Sequence, residues 1–222
     1  MTSETSRDAA LRAFLGLLEQ EPFERIDLVR VAERAGLPLS ELRAAYGAPR
    51  DLLAAFFRAT DRHVLAAGAD PDQAELAAEP AQERLFEVLM RRLDALEPHR
   101  GAVRSLVASA RRNPLLAVTL FSLSVRSQTW MLAAAGLTST GLAGATRARG
   151  LSLLFGRILD VWLKDEDPGL AATMAALDRE LATGAKLLGM VDDLAYLAMP
   201  WRVRRRSALA AEADENVADA AA

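Results

Sequence analysis

The sequence predicts an all-α fold of about nine helices, and three observations favour it. Apolar residues recur three and four positions apart along most of the chain, which is the period of an amphipathic helix. Isoleucine and tyrosine, which favour strands, each occur only twice. No stretch alternates apolar and polar residues as a half-buried strand does. The chain has 222 residues, 51% hydrophobic and 26% charged, so it can bury a full globular core.

The first four predicted helices are short, and their ends are marked by residues that suit helix termini. Asp27 has a short acceptor side chain that can cap the second helix. Gly36 follows that helix and can adopt the left-handed conformation at little cost. Pro49 suits the first turn of the fourth helix, where its missing N–H needs no partner. Three residues around the short third helix are predicted to face inward: Leu39, Leu42 and Tyr46.

Composition divides the chain into three segments. Residues 68–80 are polar, with a glycine and two prolines, and predict a linker between a domain at 1–67 and a larger helical domain at 81–191. In the larger domain, Asn113-Pro114 is predicted to open an apolar helix, and Asp167-Pro168 to open the last strong one. Residues 192–222 are first basic and then acidic, and are predicted to be partly disordered.

Few residues are arranged for enzymatic chemistry. The absence of cysteine excludes disulfides and thiolate sites. His63 and His99 have no second metal ligand at helical spacing. The run Asp165, Glu166, Asp167 is better explained by acids at the positive end of a helix than by a cation site, because alternating ligand spacing is missing. We therefore expect no enzyme, no metal and no cofactor.

Two short helices joined by a glycine-containing turn, at residues 28–46, predict a helix-turn-helix. The segment IDLVRVAERAGLPLSELRAAYGAPRDLL resembles the DNA-binding module of TetR-family regulators, over about 45 residues. The residues that carry the resemblance are Val31, Ala32, Ala35, Gly36, Leu42, Tyr46 and Leu52. It implies a TetR-like fold, with a three-helix DNA-binding domain and a larger ligand-binding and dimerisation domain. It also implies operator DNA as a partner, with candidate contacts Arg30, Arg34, Ser40, Glu41, Arg43 and Arg50.

Charge does not by itself favour DNA binding. The net charge is −3, and residues 1–67 hold nine arginines against ten acidic residues. The chain also departs from the family pattern on the contact surface: Arg43 replaces an aromatic, Pro49 a lysine, and Pro38 a capping serine or threonine. The alternative that these arginines are solvated surface groups therefore stays open.

A second resemblance covers residues 136–184, which are similar to the lipid-binding domain of the Coq-nine family. The matching residues are Gly136, Ser139, Thr140, Thr146, Arg147, Leu151, Val161, Asp165, Pro168, Thr173, Leu177 and Gly184. That family has adjacent aromatics where this chain has Gly144 and Ala145. The resemblance implies an accessory protein of ubiquinone biosynthesis that holds an isoprenoid-type lipid in a helical cavity, with a degenerate helix-turn-helix.

The residues themselves also favour an apolar pocket in the larger domain. Four glycines fall within one predicted helix, where small residues allow close packing or leave space: Gly141, Gly144, Gly150 and Gly156. Eight apolar residues are predicted to line the pocket: Leu120, Phe121, Trp130, Met131, Leu154, Phe155, Trp162 and Met174. The alternative for each is ordinary core packing.

The sequence also predicts two interaction surfaces, a dimer interface and a basic tail. The helices at 140–164 and 168–188 are the candidates for a homodimer interface, as the TetR resemblance implies. The tail suits either an anionic membrane surface or solvent, through Trp201, Arg202, Arg204, Arg205 and Arg206. The sequence thus predicts a cytoplasmic protein, with membrane association as the alternative. Its function is a ligand-responsive transcriptional regulator or a lipid-binding accessory protein.

Overall fold

The computed structural model describes residues 4–67 and 79–198, with side chains described as far as residue 184. Across these residues the fold is all-α, as predicted, and no strand is present. The helices are α1 (Glu4–Leu18), α2 (Leu28–Ala35), α3 (Leu39–Ala45), α4 (Pro49–Ala67), α5 (Ala81–Leu96), α6 (Arg100–Ala110), α7 (Pro114–Ala134), α8 (Gly141–Trp162) and α9 (Ala171–Ala198).

The helix ends confirm the capping residues read from the sequence. The Asp27 carboxylate accepts a hydrogen bond from the backbone N–H of Arg30 at 2.9 Å, and Gly36 ends α2 with a φ of 65°. Asn113 caps α7 by accepting from the N–H of Leu116 at 3.1 Å, with Pro114 in the first turn. These local signals fix where the short N-terminal helices and the long α7 begin.

The start of α9 differs from the prediction. The helix begins at Ala171 rather than at Pro168, because the Asp167 carboxylate accepts from the N–H groups of Gly169 and Ala171 and holds the preceding residues in a turn. Leu170 adopts a φ of 51° at the junction. The helix also continues to Ala198, beyond the point near residue 191 where the sequence pattern weakens.

Helices α1, α2 and α3 pack together around a small apolar core. The fully buried side chains of this core include Phe14 and Leu18 of α1, Val31 of α2 and Leu42 of α3. Tyr46 is buried as predicted, but Leu39 is 46% exposed, so its predicted inward orientation is wrong. It lies in the first turn of α3, where the helix projects beyond this core.

Helices α4, α5, α6 and α8 all contact α7. Helix α4 contacts α5 and α7, α6 contacts α1, and α7 lies along α8. Residues up to Arg179 form one compact unit, and residues from Glu180 form a second one. Most of the predicted linker and the tail from residue 199 lie outside the described residues, so the domain division stays a prediction. No helix within residues 4–67 and 79–198 combines the length and apolar character needed to cross a bilayer.

Candidate DNA-binding surface and ligand cavity

The helix-turn-helix presents one face of α3 to solvent. Leu42 is buried beneath it, while Ser40 and Arg43 are exposed and Glu41 is partly buried. Arg50, in the first turn of α4, is exposed nearby along the chain. Arg43 and Arg50 form no ion pair with any residue that the structure describes. Their guanidinium groups are therefore available to an external anion.

The two arginines of α2 are exposed, but each donates hydrogen bonds to neighbouring residues of the chain. Arg30 donates from Nη1 to Oε2 of Glu21 at 2.5 Å and to the carbonyl oxygen of Arg25 at 2.9 Å. Arg34 donates to the side-chain oxygen of Gln20 at 3.1 Å. Both residues brace α2 against the segment that follows α1, so a phosphate would have to compete with these acceptors. Of the six predicted contacts, Ser40, Arg43 and Arg50 are the best placed.

A cavity of about 460 Å³ lies among α4, α5, α6, α7 and α8. That volume is within the usual range for a small-molecule site, about 300–1,000 Å³. Its lining is mostly apolar, with a few polar groups: Phe56, Phe57, Thr60, Arg92, Leu96, Val103, Leu106, Val107, Ala110, Arg111, Ala117, Leu120, Phe121, Ser124, Ser152, Phe155, Gly156, Leu159 and Asp160.

The structure brings only some of the eight predicted ligand residues to this cavity. Three of them line it: Leu120, Phe121 and Phe155. Three are buried elsewhere in the core: Met131, Leu154 and Trp162. Two are exposed at the surface: Trp130 and Met174. The helical period alone did not separate these groups, because core and cavity lie on neighbouring faces of α7 and α8.

Arg92 of α5 brings a buried ion pair to the cavity wall. It is 2% exposed, and its Nη1 donates to Oδ1 of Asp61 of α4 at 2.6 Å. Ser127 of α7 donates its hydroxyl proton to the same oxygen. The guanidinium carbon lies 5.9 Å from the ring centroid of Phe57 and 5.4 Å from that of Phe155. Burial lowers the pKa of Arg92, and Asp61 opposes that shift.

Sequence reasoning missed this ion pair, although a signal for it was present. Arg92 lies in the apolar stripe of its helix, together with Leu89, Leu93 and Leu96. A charged side chain on such a stripe needs a partner. Its partner Asp61 lies between Phe57 and Val64 in the helical period, again on an apolar face. Two opposite charges on two apolar stripes are a signature of a buried pair.

Helices α7 and α8 carry further polar groups. The hydroxyl of Ser152 on α8 donates to that of Ser124 on α7 at 2.8 Å. One turn beyond Ser124 on α7, Gln128 is fully buried, and neither atom of its amide has a hydrogen-bond partner among the described residues. At another part of the wall, Arg111 pairs with Asp160 at 2.8 Å, and its side chain is 63% exposed.

Two helices connect the cavity with the helix-turn-helix. Helix α4 begins directly after α3 and lines the cavity with residues of its middle turns. Helix α6 holds the turn that precedes α2: Ser105 donates to the carbonyl of Glu21 at 3.1 Å, and Ser109 accepts from the N–H of Phe23 at 3.3 Å. The residues between these serines include two that line the cavity: Leu106 and Val107.

The acidic run after α8 has a structural role. Asp165 accepts hydrogen bonds from the backbone N–H and the hydroxyl of Thr173, which hold its pKa below the usual range. Asp167 accepts from the start of α9, as described above, so two of the three acids satisfy orphan donors of a helix N-terminus. Among the described residues no cluster of histidine and acidic side chains is suited to hold a metal ion.

Two solved structures are similar to this protein over most of its length. A solved TetR transcriptional regulator from Nitrosomonas europaea ATCC 19718 matches with a TM-score of 0.63 and 23% identity, over 81% of this chain and 97% of that one. A TetR transcriptional regulator from Rhodococcus sp. RHA1 matches with a TM-score of 0.57 and 20% identity, over 85% and 97%. No protein-family model matches the chain, and no curated protein matches it.

The chain therefore has a TetR-like fold. The resemblance read from the N-terminal sequence is confirmed at the level of the fold, and the neighbours are transcriptional regulators. The Coq-nine resemblance of residues 136–184 has no support in these comparisons.

Proposed function

We propose that the protein is a non-enzymatic, homodimeric transcriptional regulator that binds operator DNA through α3 and responds to an apolar ligand in the cavity. The observation that carries the proposal is the connection between the two sites: α4 follows the exposed α3 directly along the chain and forms part of the cavity wall. A ligand that favours one position of α4 would change the spacing of two α3 helices in a dimer, and so the affinity for DNA.

DNA contacts would come from the exposed arginines. Arg43 on α3 and Arg50 at the start of α4 are free to pair with phosphate or base edges, and Ser40 can donate a hydroxyl hydrogen bond. Each phosphate contact contributes about 0.9 to the slope of log affinity against log salt. Two subunits double the number of contacts, which compensates for the even balance of charge in the N-terminal region.

The dimer would form through α8 and the first turns of α9. Leu142 is 88% exposed and Leu153 is 58% exposed on α8, and Met174 of α9 is also exposed. Gly150, between those two leucines on α8, faces open space. Exposed leucines beside an open glycine favour the close approach of a second copy.

Selection of fragmented genomic DNA on the purified protein, followed by sequencing, tests the proposal. We expect a few sharply enriched sites that share a palindrome, with half-sites one helical turn apart or a multiple of it. Uniform retention, or none in the presence and absence of a cell extract that supplies small molecules, would contradict operator binding.

Substitutions at the selected site then assign the contacts. Arg43→Ala and Arg50→Ala should each weaken binding and reduce the salt slope by about 0.9 for every phosphate contact removed. Arg30→Ala should have a smaller effect on the slope, because Glu21 already neutralises that side chain. Arg112→Ala removes an exposed arginine that follows α6 and does not line the cavity, and is the matched control for loss of one positive charge.

The lipid-accessory alternative differs in one measurement. It predicts a quinone precursor or another isoprenoid-type lipid in organic extracts of the purified protein, together with no enriched DNA site. Membrane contact through the basic tail, which lies outside the described residues, would add retention on anionic vesicles that is lost at high salt.

A further inference from the structure

We propose that the ligand of the cavity carries a hydrogen-bond acceptor oxygen, a carbonyl or carboxylate, on an otherwise apolar body, and that Arg92 binds this oxygen. The inference rests on the proposed ligand response and names the chemical class of the ligand. The observation behind it is a buried guanidinium that lines the cavity and has a donor with no partner.

The hydrogen bonds of Arg92 leave donors unused. Its Nη1 serves Asp61 and lies 3.9 Å from the sulfur of Met131, a weak acceptor. Its Nε is fully buried and has no partner among the described residues. A guanidinium has five N–H donors and no acceptor, so its unpaired donors can be satisfied only by an acceptor atom. A buried donor without a partner is costly. A ligand that supplies an acceptor therefore gains binding energy when the guanidinium turns a donor toward the cavity that Arg92 lines.

Few acceptors of the protein itself remain for this donor. The amide oxygen of Gln128 also lacks a partner, but Gln128 does not line the cavity. The aromatic rings of Phe57 and Phe155 flank the guanidinium. Ser127 already donates its hydroxyl proton to Asp61. The serine pair of Ser124 and Ser152 is bonded within itself and lines the cavity, where a ligand oxygen could join it.

The rest of the cavity determines the body of the ligand. Helices α6 and α7 contribute aliphatic and aromatic side chains, and only a few polar groups interrupt them. An apolar chain or ring system is therefore expected to fill most of the 460 Å³, with the acceptor at Arg92. A cationic ligand would meet the uncompensated donors of Arg92 and should be rejected.

Three probes of similar length separate these chemistries: decanoate, 2-undecanone and decylammonium. Titration calorimetry of the full chain, without DNA and below the concentration at which the probes form micelles, gives the three affinities. We expect decanoate or 2-undecanone to bind at least about tenfold more tightly than decylammonium, the factor typical of one hydrogen bond to a charged group.

The assignment to Arg92 is tested with a double variant, Asp61→Asn with Arg92→Met, because Arg92→Met alone would leave a buried carboxylate without its partner. Circular dichroism and thermal unfolding check that the variant is folded. We expect it to keep affinity for the apolar chain and to lose the preference for acceptor oxygens. Arg111→Met removes the other arginine of the cavity wall and is expected to retain the preference.

The inference would be overturned by equal or tighter binding of decylammonium, by no binding of any probe, or by a preference that survives in the double variant. Loss of the preference in Arg111→Met would show that Arg111, and not Arg92, binds the ligand oxygen. That result would also overturn the inference. None of these outcomes bears on operator binding, which is measured without the probes, so the two proposals fail separately.

Discussion

The Arg92–Asp61 pair provides the most stringent test of the packing. Replacing Arg92 by Met removes a positive charge whose partner lies 2.6 Å away, and replacing Asp61 by Asn removes the negative one. Because the Arg92 side chain is only 3% exposed, either change leaves a buried charge without its counterion. The prediction is a large cost for each single variant and a much smaller additional cost for the double variant.

The expected size follows from burial. At an effective dielectric constant of about 20, unit charges about 4 Å apart attract by about 4 kcal/mol, against about 1 kcal/mol in water. Removal of one partner of a buried pair typically costs about 3–5 kcal/mol. That is a large part of the total stability of a domain, about 5–15 kcal/mol. We expect a coupling energy of about 2–4 kcal/mol between Arg92 and Asp61.

The assay is a double-mutant cycle by urea unfolding, followed by circular dichroism at one fixed protein concentration, because self-association would shift the midpoint. The chain supplies its own control: Arg111 and Asp160 form the same type of pair at 2.8 Å on the surface. The cycle Arg111→Met with Asp160→Asn should give a coupling below about 1 kcal/mol.

Similar coupling energies for the two pairs would show that burial does not strengthen the Arg92–Asp61 pair, because burial is the main difference between them. The same would follow if Arg92→Met cost no more stability than Arg111→Met. In either case the Arg92 guanidinium would have to be hydrated in solution, and the cavity wall beside it would be open to water.

Two further predictions concern a pair of glycines and a histidine. Gly144→Ala should destabilise the protein, because a Cβ there would lie 2.1 Å from the carbonyl oxygen of Ser139, whereas Gly150→Ala, which meets no atom within 4 Å, should raise the stability of the monomer by about 0.5–1 kcal/mol. Thermal unfolding of the two variants compares them, and a cost for Gly150→Ala that grows with protein concentration would locate the dimer contact there. Burial lowers the pKa of His99 from its ordinary value of 6.5, with a smaller opposing effect from Glu19. His99 therefore binds a proton more readily in the unfolded chain than in the folded one. The free energy of unfolding is highest above pH 6.5 and falls as the pH drops below that value. His99→Gln should therefore lose less of its melting temperature between pH 7.5 and pH 5.5 than the parent, and equal losses would contradict this.

The sequence was sufficient for the helices and for the ends of several of them. Asp27, Gly36 and Asn113 are local signals, since each acts on backbone groups within a few residues. The start of α9 was misplaced because Pro168 suits a first helical turn equally well, and only the hydrogen bonds of Asp167 fix the turn that delays it.

The sites were less predictable, because they depend on which helices meet. Phe121 and Phe155 line the cavity, while Met131 and Trp162, on the same two helices, are core. The helical period identifies the buried face of a helix. It does not indicate whether that face packs against other side chains or borders a cavity. Arg92 was visible as a charge on an apolar stripe, yet its partner on α4 could be identified only from the packing.

The central claim, that α3 reads a specific DNA sequence, is tested most directly by a ratio of two affinities. The dissociation constants of the purified protein for the most enriched genomic fragment and for a scrambled duplex of equal length are measured at the same salt concentration. We expect a ratio of about 10³ or more, as for sequence-specific regulators, and a decrease in that ratio for Arg43→Ala. A ratio near one, with both affinities falling equally as salt rises, would contradict it.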